Sequence, residues 1–213
     1  MMWRQNNYAK MNCEKLKYIF LVLILYSCKT KSSHLVNPVA KKLCDSAISI
    51  ARKGGDYART ISLLDRATQI DSTYLTAYSY KLFFLRFIRP NNMDKILATL
   101  IKLNTLRPEF PDYYFEIGTI YLQRGDSVSS KKYLADAIIH YDMFIDTMHT
   151  TNAAYGPLLL YKSFALILQG QEKQGHDLLH QVYELETDTL FRKNITRMLQ
   201  KSRQEVLDSL SNN

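Results

Sequence analysis

Three segments of the chain share one layout, and this repetition constrains the fold more than any other feature of the sequence. Each segment opens on a glycine and continues with apolar residues at every third or fourth position; the segments are 55–71, 125–141 and 170–186. A glycine at that point supplies the left-handed conformation that ends a preceding helix. The apolar spacing is that of a helix with one buried face. The sequence therefore predicts pairs of helices joined by short glycine turns.

A fourth copy fits in the interval between Gly55 and Gly125. Residues 91–93 take the turn there, an apolar stripe follows, and Pro108 ends the helix. Because a helix pair can bury its apolar face only against its neighbours, the four copies predict a stacked superhelix. The predicted fold class is all-α, and its concave side is lined by the first helix of each pair.

Residues 111–142 carry the clearest match to a known family. The residues that match are Tyr114, Ile117-Gly118, Tyr121, Gly125-Asp126, Ser130, Leu134 and Ala137. This pattern resembles the tetratricopeptide repeat (TPR), a helix–turn–helix unit in which a residue without a side chain, here Gly118, permits close helix packing. The resemblance implies an α-α superhelix of about four repeats, at 41–74, 75–110, 111–142 and 156–187. A capping helix and tail over 188–213 would cover the last repeat.

The first 40 residues have the character of a targeting segment. Lys15 and Lys17 precede an unbroken apolar run over 18–26, and Ser27 and Cys28 follow it. This run is too short to cross a bilayer, which takes roughly 20 residues, but it is typical of a secretory signal. The sequence predicts a signal peptide over 1–27, beginning at Met1 or Met11, and a flexible tether over 28–40.

The end of that signal resembles a second known pattern. Leu25-Tyr26-Ser27-Cys28 is similar to the lipobox of bacterial lipoproteins. The resemblance implies cleavage before Cys28 and its acylation, with palmitate among the attached groups, so that the chain is anchored to the cell envelope. Lys29, rather than Asp, resembles lipoproteins sent to the outer membrane, where the chain would face the periplasm. An uncleaved anchor and a chance apolar stretch are the alternatives.

The positive charge of the chain belongs to its N-terminus. The 28 lysines and arginines exceed the 20 acids by eight. Eight of the bases and one acid lie in residues 1–42, which leaves 20 bases and 19 acids for residues 43–213. The repeats are therefore nearly neutral, and their charge does not indicate nucleic acid as a partner.

The resemblance to TPR proteins also implies where a partner binds. Ligands of that family lie against the first helix of each repeat, and the corresponding positions here are Ser49, Arg52, Ser79, Phe83, Arg86, Phe87, Phe115, Thr119 and Leu122. Phenylalanines beside arginines suit an extended peptide with an apolar side chain and an acidic group. Packing between repeats is the alternative for any one of these aromatic rings.

Motifs for catalysis and cofactors are missing from the sequence. His176 and His180 have a spacing that can bind zinc, but no third ligand is evident, so we expect neither a metal nor a cofactor. Cys44, among apolar neighbours, is expected to be a small buried residue. The sequence predicts a non-enzymatic, membrane-anchored scaffold that binds an unidentified peptide or protein in its groove. A periplasmic immunity or inhibitor protein that neutralises a toxin is the first alternative, and a zinc-dependent hydrolase is the second.

Overall fold

The fold is known from a computed structural model that describes residues 35–54, 56–88 and 92–211, and these residues contain helices but no strand. The helices are α1 (Pro38–Arg52), α2 (Tyr57–Ile70), α3 (Leu75–Phe87), α4 (Met93–Leu106), α5 (Pro111–Gln123), α6 (Ser127–Asp146), α7 (Tyr155–Gln169), α8 (Glu172–Leu185), α9 (Thr189–Met198) and α10 (Arg203–Ser211). Helices that follow one another along the chain pack together as in a helical-repeat superhelix, so the predicted all-α fold is confirmed.

The four predicted repeats correspond to the pairs α1–α2, α3–α4, α5–α6 and α7–α8. The predicted signal peptide and Cys28 lie outside the described residues, as do most of the tether, Gly55 and the last two residues of the tail. Within the described ranges, each helix is too short or too polar to cross a membrane.

Acidic caps and glycine turns set the helix boundaries. The Asp56 and Asp126 carboxylates accept hydrogen bonds from backbone N–H groups in the first turns of α2 and α6, which satisfies donors that a helix start leaves free. Gly125 and Gly170 have positive φ angles of 78° and 97° in the turns before α6 and α8, as predicted. In the turn before α2, Gly54 has a positive φ angle of 73°. The sequence predicts this role for the neighbouring Gly55, which lies outside the described residues.

Close helix contact at Gly118 is confirmed. A Cβ atom at this position would lie 2.9 Å from Cγ and 3.1 Å from the backbone nitrogen of Leu134. Gly175 has the same role between α7 and α8, because a Cβ there would lie 2.7 Å from the Ser163 carbonyl oxygen. The contact at Gly175 is not predicted from the sequence, since its position in the repeat differs from that of Gly118.

The buried side chains form two clusters that meet at α5. The first cluster includes the fully buried Cys44, as expected, and takes Ile117 and Ile120 from α5. The second takes Phe115 from α5 and extends to Val206 and Leu207 in α10. Helix α5 is therefore the joint between the N-terminal and C-terminal halves of the repeats.

The C-terminal segment differs from its prediction. A single capping helix was expected from 188 onwards, but the chain turns at 199–202 and forms two helices, α9 and α10. The Glu205 carboxylate accepts hydrogen bonds from the backbone nitrogen and hydroxyl of Ser202, at 2.8 and 2.7 Å. This is the capping-box pattern of a helix start, and Ser202 and Glu205 already have its spacing in the sequence.

Candidate functional site

The predicted groove positions lie where the first helices of successive pairs face each other. The guanidinium of Arg86 on α3 forms an ion pair with the Glu116 carboxylate on α5. The ring of Phe115 on α5 meets the ring of Tyr161 on α7 edge to face, with centroids 5.8 Å apart. We call the surface formed by α1, α3, α5 and α7 the first-helix surface.

This surface is open over the first two helix pairs. Ser49 and Arg52 on α1 are exposed, and Phe87 on α3 is 56% exposed. Phe83 is half-buried, and so is Ser79, whose hydroxyl donates to the Leu75 carbonyl. The side chains predicted to meet a partner are therefore accessible in this half.

An aromatic patch marks the end of this open region. It consists of Tyr57, Phe83, Phe84 and Phe87. The Phe87 ring packs against Phe83 edge to face at 4.9 Å and stacks on Tyr57 at 5.6 Å, measured between centroids. Such ring pairs hold one another in place, so an exposed ring here is presented in a fixed orientation.

Two exposed cations lie at the same end of the first helix pair. Arg52 and Lys53 end α1, four to five residues before Tyr57 begins α2. Arg52 also lines a shallow depression on α1, with Asp45, Ile48, Ser49 and Lys53. Positive charge and exposed aromatic rings thus occur together near the turn between α1 and α2.

The middle of the first-helix surface holds a polar cluster. The Tyr141 hydroxyl, on α6, donates to the Asp112 carboxylate on α5 over 2.7 Å, and the Arg86–Glu116 pair lies beside it. Although part of the Asp112 residue contacts solvent, its carboxyl group is enclosed. Burial raises the pKa of Asp112 to about 6, the negative charge of Glu116 acts in the same direction, and the Tyr141 hydrogen bond opposes both.

The same polar cluster also affects the pKa of the neighbouring Tyr161. Burial, and next the charges of Asp112 and Glu116, raise the pKa of Tyr161 to about 12. The cluster links α3, α5 and α6 through side chains, so its first effect is to hold three helices together. Asp112 and Glu116 are not among the site residues predicted from the sequence, although their one-turn spacing on α5 is a visible signal.

Over the third helix pair the predicted groove is covered. Phe115 is 4% exposed, and Thr119 is buried with its hydroxyl bonded to the Phe115 carbonyl. Leu122 is half-buried and shares a cavity of about 230 Å³ with residues of α10. Phe115 and Thr119 therefore do not line an open groove in this structure, because α7 packs over this part of α5 through Tyr161. Leu122 keeps partial exposure, as Phe83 does.

The described residues do not bring metal ligands together. No group of three or more His, Cys, Asp or Glu side chains in this part of the chain could hold an ion. His180 is exposed, while His176 is half-buried and its Nε2 atom finds no hydrogen-bond partner there.

Comparisons with models of known protein families and with curated proteins give no significant match for this chain.

Proposed function

We propose that this chain is a TPR-like lipoprotein that acts as a scaffold, binding a peptide or a protein segment on the open half of its first-helix surface. The observation that carries the proposal is the aromatic patch, where Phe87 is 56% exposed yet held by Tyr57 and Phe83. Large exposed aromatic side chains in a fixed orientation are typical anchors of protein interfaces.

The chemistry of the open half favours one kind of ligand. An apolar or aromatic side chain of the partner would pack on Phe83 and Phe87, while an acidic group would meet Arg52 and Lys53. The segment would lie across α1 and α3, since the surface over α5 is covered. A partner segment of only a few residues therefore suffices to reach both features.

The proposed anchor determines where the scaffold acts. With its signal removed and Cys28 acylated, the chain would stay on a membrane of the bacterial cell envelope, and we propose the periplasmic face of the outer membrane. Several acyl chains hold a protein stably, whereas one chain holds it only marginally. Only the short tether would separate the lipid from Pro38, the first residue of α1.

Labelling with a palmitate analogue in a bacterial host tests the anchor. We expect the wild-type chain and a Cys13→Ala variant to be labelled and a Cys28→Ala variant to remain unlabelled, because only the thiol of Cys28 would receive lipid. Label that persists in Cys28→Ala would refute the lipoprotein assignment.

A pair of matched substitutions tests the binding surface. Phe87 on the first-helix surface and Ile139 on α6 are 56% and 57% exposed, so truncating either to alanine removes a similarly accessible apolar side chain. After cross-linking in intact cells, we expect Phe87→Ala to lose the partner captured by the wild type and Ile139→Ala to keep it. Equal capture by both variants would contradict the proposed surface.

The immunity or inhibitor alternative differs from the scaffold in what is captured. A toxin recovered as the single tight partner would favour it. A peptide segment shared by several envelope proteins would favour the scaffold.

A further inference from the structure

The last helix of the chain lies on the first-helix surface. Helix α10 packs on α7, and its residues Arg203, Gln204 and Leu207 line a cavity together with Leu122 of α5. The Arg203 Nε atom donates to the Leu168 carbonyl oxygen over 2.7 Å. That carbonyl belongs to the last turn of α7, where a helix leaves acceptors free and a cation is favourable. The chain thus covers part of its own predicted binding surface.

The contacts of α10 have the spacing of a bound amphipathic helix. Val206 and Leu207 are buried, Leu210 is half-buried, and with Arg203 they occupy positions i, i+3, i+4 and i+7. This is the pattern by which separate helical peptides bind hydrophobic grooves. The opposite face of α10 is polar and exposed, as it is in such ligands, and carries Glu205 and Asp208; Gln204 is exposed at the edge between the two faces.

The attachment of α10 is slight in comparison with that of the helix pairs. The helix has nine residues, fewer than an isolated helix needs to be stable in water. A pocket of about 230 Å³, open to solvent on one side, lies beside it between Leu207 and Leu122. A short element with few buried anchors is expected to open as a separate unit, well below the free energy of global unfolding.

We propose that the surface over the third and fourth helix pairs is a groove for an amphipathic helix, and that α10 occupies it in the free protein and gives way to a partner helix. That partner would carry a basic residue at its first contact position and apolar residues at the fourth, fifth and eighth. Opening of α10 uncovers Leu122, one of the predicted groove residues. The inference rests on the proposed function, because it takes the first-helix surface to be the binding face.

Two matched cysteine variants test whether α10 opens alone. Val206 in α10 is 1% exposed and Val182 in α8 is 2% exposed, and both belong to the same buried cluster. Each is changed to cysteine in the full chain, with Cys13 and Cys28 replaced by serine, and reaction with a thiol reagent is followed over increasing urea. The buried Cys44 is common to both variants and reports opening of the first helix pair.

At low urea we expect the Val206→Cys thiol to react on the order of 100-fold faster than the Val182→Cys thiol. The rate of the Val206→Cys thiol should change little with urea concentration, because local opening of α10 exposes little surface. Equal rates, or a Val206→Cys rate with the urea dependence of global unfolding, would show that α10 is an integral cap and would overturn the proposal.

A synthetic peptide of residues 200–211, which contains no cysteine, then tests the groove itself. At about 1 mM, comparable with the effective concentration of a tethered segment, it should occupy the vacated groove and raise the Val206→Cys labelling rate about twofold or more. The control peptide carries Val206→Asp and Leu207→Asp and should have no effect. A wild-type peptide that leaves the rate unchanged would refute a helix-binding groove. Neither experiment involves the lipid or the unknown partner, so its failure is distinct from failure of the proposed function.

Discussion

Replacing Asp112 by asparagine should change the pH dependence of stability in a defined way. Burial of the carboxyl group raises its pKa from 3.8 to about 6 in the folded protein. The folded chain therefore keeps a proton that the unfolded chain releases, and this group destabilises the fold increasingly as pH rises from about 4 to about 6. A shift of about two pKa units corresponds to a loss of about 3 kcal/mol in the free energy of unfolding above that range.

The Asp112→Asn substitution removes this loss of stability while it keeps the hydrogen bond with Tyr141. Its amide oxygen can still accept the hydrogen bond that the Tyr141 hydroxyl donates to Asp112. We therefore expect Asp112→Asn to match the wild type at about pH 4, where the wild-type carboxyl group is protonated in the folded state. At about pH 7.5 the variant should be more stable by up to about 3 kcal/mol, because no charge is buried.

Urea unfolding of both proteins, followed by circular dichroism at several pH values, measures this difference. Asp94→Asn is the control, since the Asp94 carboxylate is exposed in a surface ion pair with Arg124 that should contribute little. A difference between Asp112→Asn and the wild type that is the same at about pH 4 and about pH 7.5 would refute the reasoning, because it would show that the charge of Asp112 costs nothing in the fold.

Two further substitutions test the packing and the last helix. Gly118→Ala should lower the free energy of unfolding by about 1–3 kcal/mol, because its Cβ would lie 3.1 Å from the Leu134 backbone nitrogen, which cannot move aside. The control Gly156→Ala, with no atom within 4 Å of its Cβ, should leave stability unchanged or raise it slightly in urea unfolding; equal losses in both variants would contradict the close contact. Glu205→Ala removes the acceptor that caps α10 and should speed thiol labelling of Val206→Cys several-fold, whereas an unchanged rate would mean that the cap does not hold the helix.

The helix pairs could be predicted from the sequence because their signals are local. A glycine turn followed by an apolar stripe indicates a helix start wherever it occurs, and Gly118 stood out because its repeat position lacks a side chain. At the first turn Gly54 and Gly55 are adjacent, and the apolar spacing alone does not select between them; Gly54 has a positive φ angle of 73°.

The burial of groove residues could not be predicted in the same way, because it depends on distant parts of the chain. Phe115 has the sequence position of an exposed ligand contact, and it is covered because Tyr161 of α7 packs against its ring within the second buried cluster. Asp112 lies in the first turn of α5, and its enclosed carboxyl group accepts a hydrogen bond from Tyr141 of the long helix α6. In each case the covering group lies 29 residues or more further along the chain, so no local pattern reveals the contact.

The two proposed binding sites, the open half with the aromatic patch and the half covered by α10, lie at different places on the first-helix surface. Their positions relative to the proposed lipid therefore differ. The open half belongs to the first two helix pairs, and a tether from Cys28 to Pro38 would span at most about 35 Å. The aromatic patch lies at the far end of α1, about 22 Å further for a helix of 15 residues. A segment bound there would remain within about 60 Å of the membrane whatever the orientation of the scaffold. The half covered by α10 belongs to the third and fourth helix pairs, and it becomes available only when α10 opens. A partner bound at the open half therefore needs no opening of α10, whereas a partner helix at the covered half must compete with it.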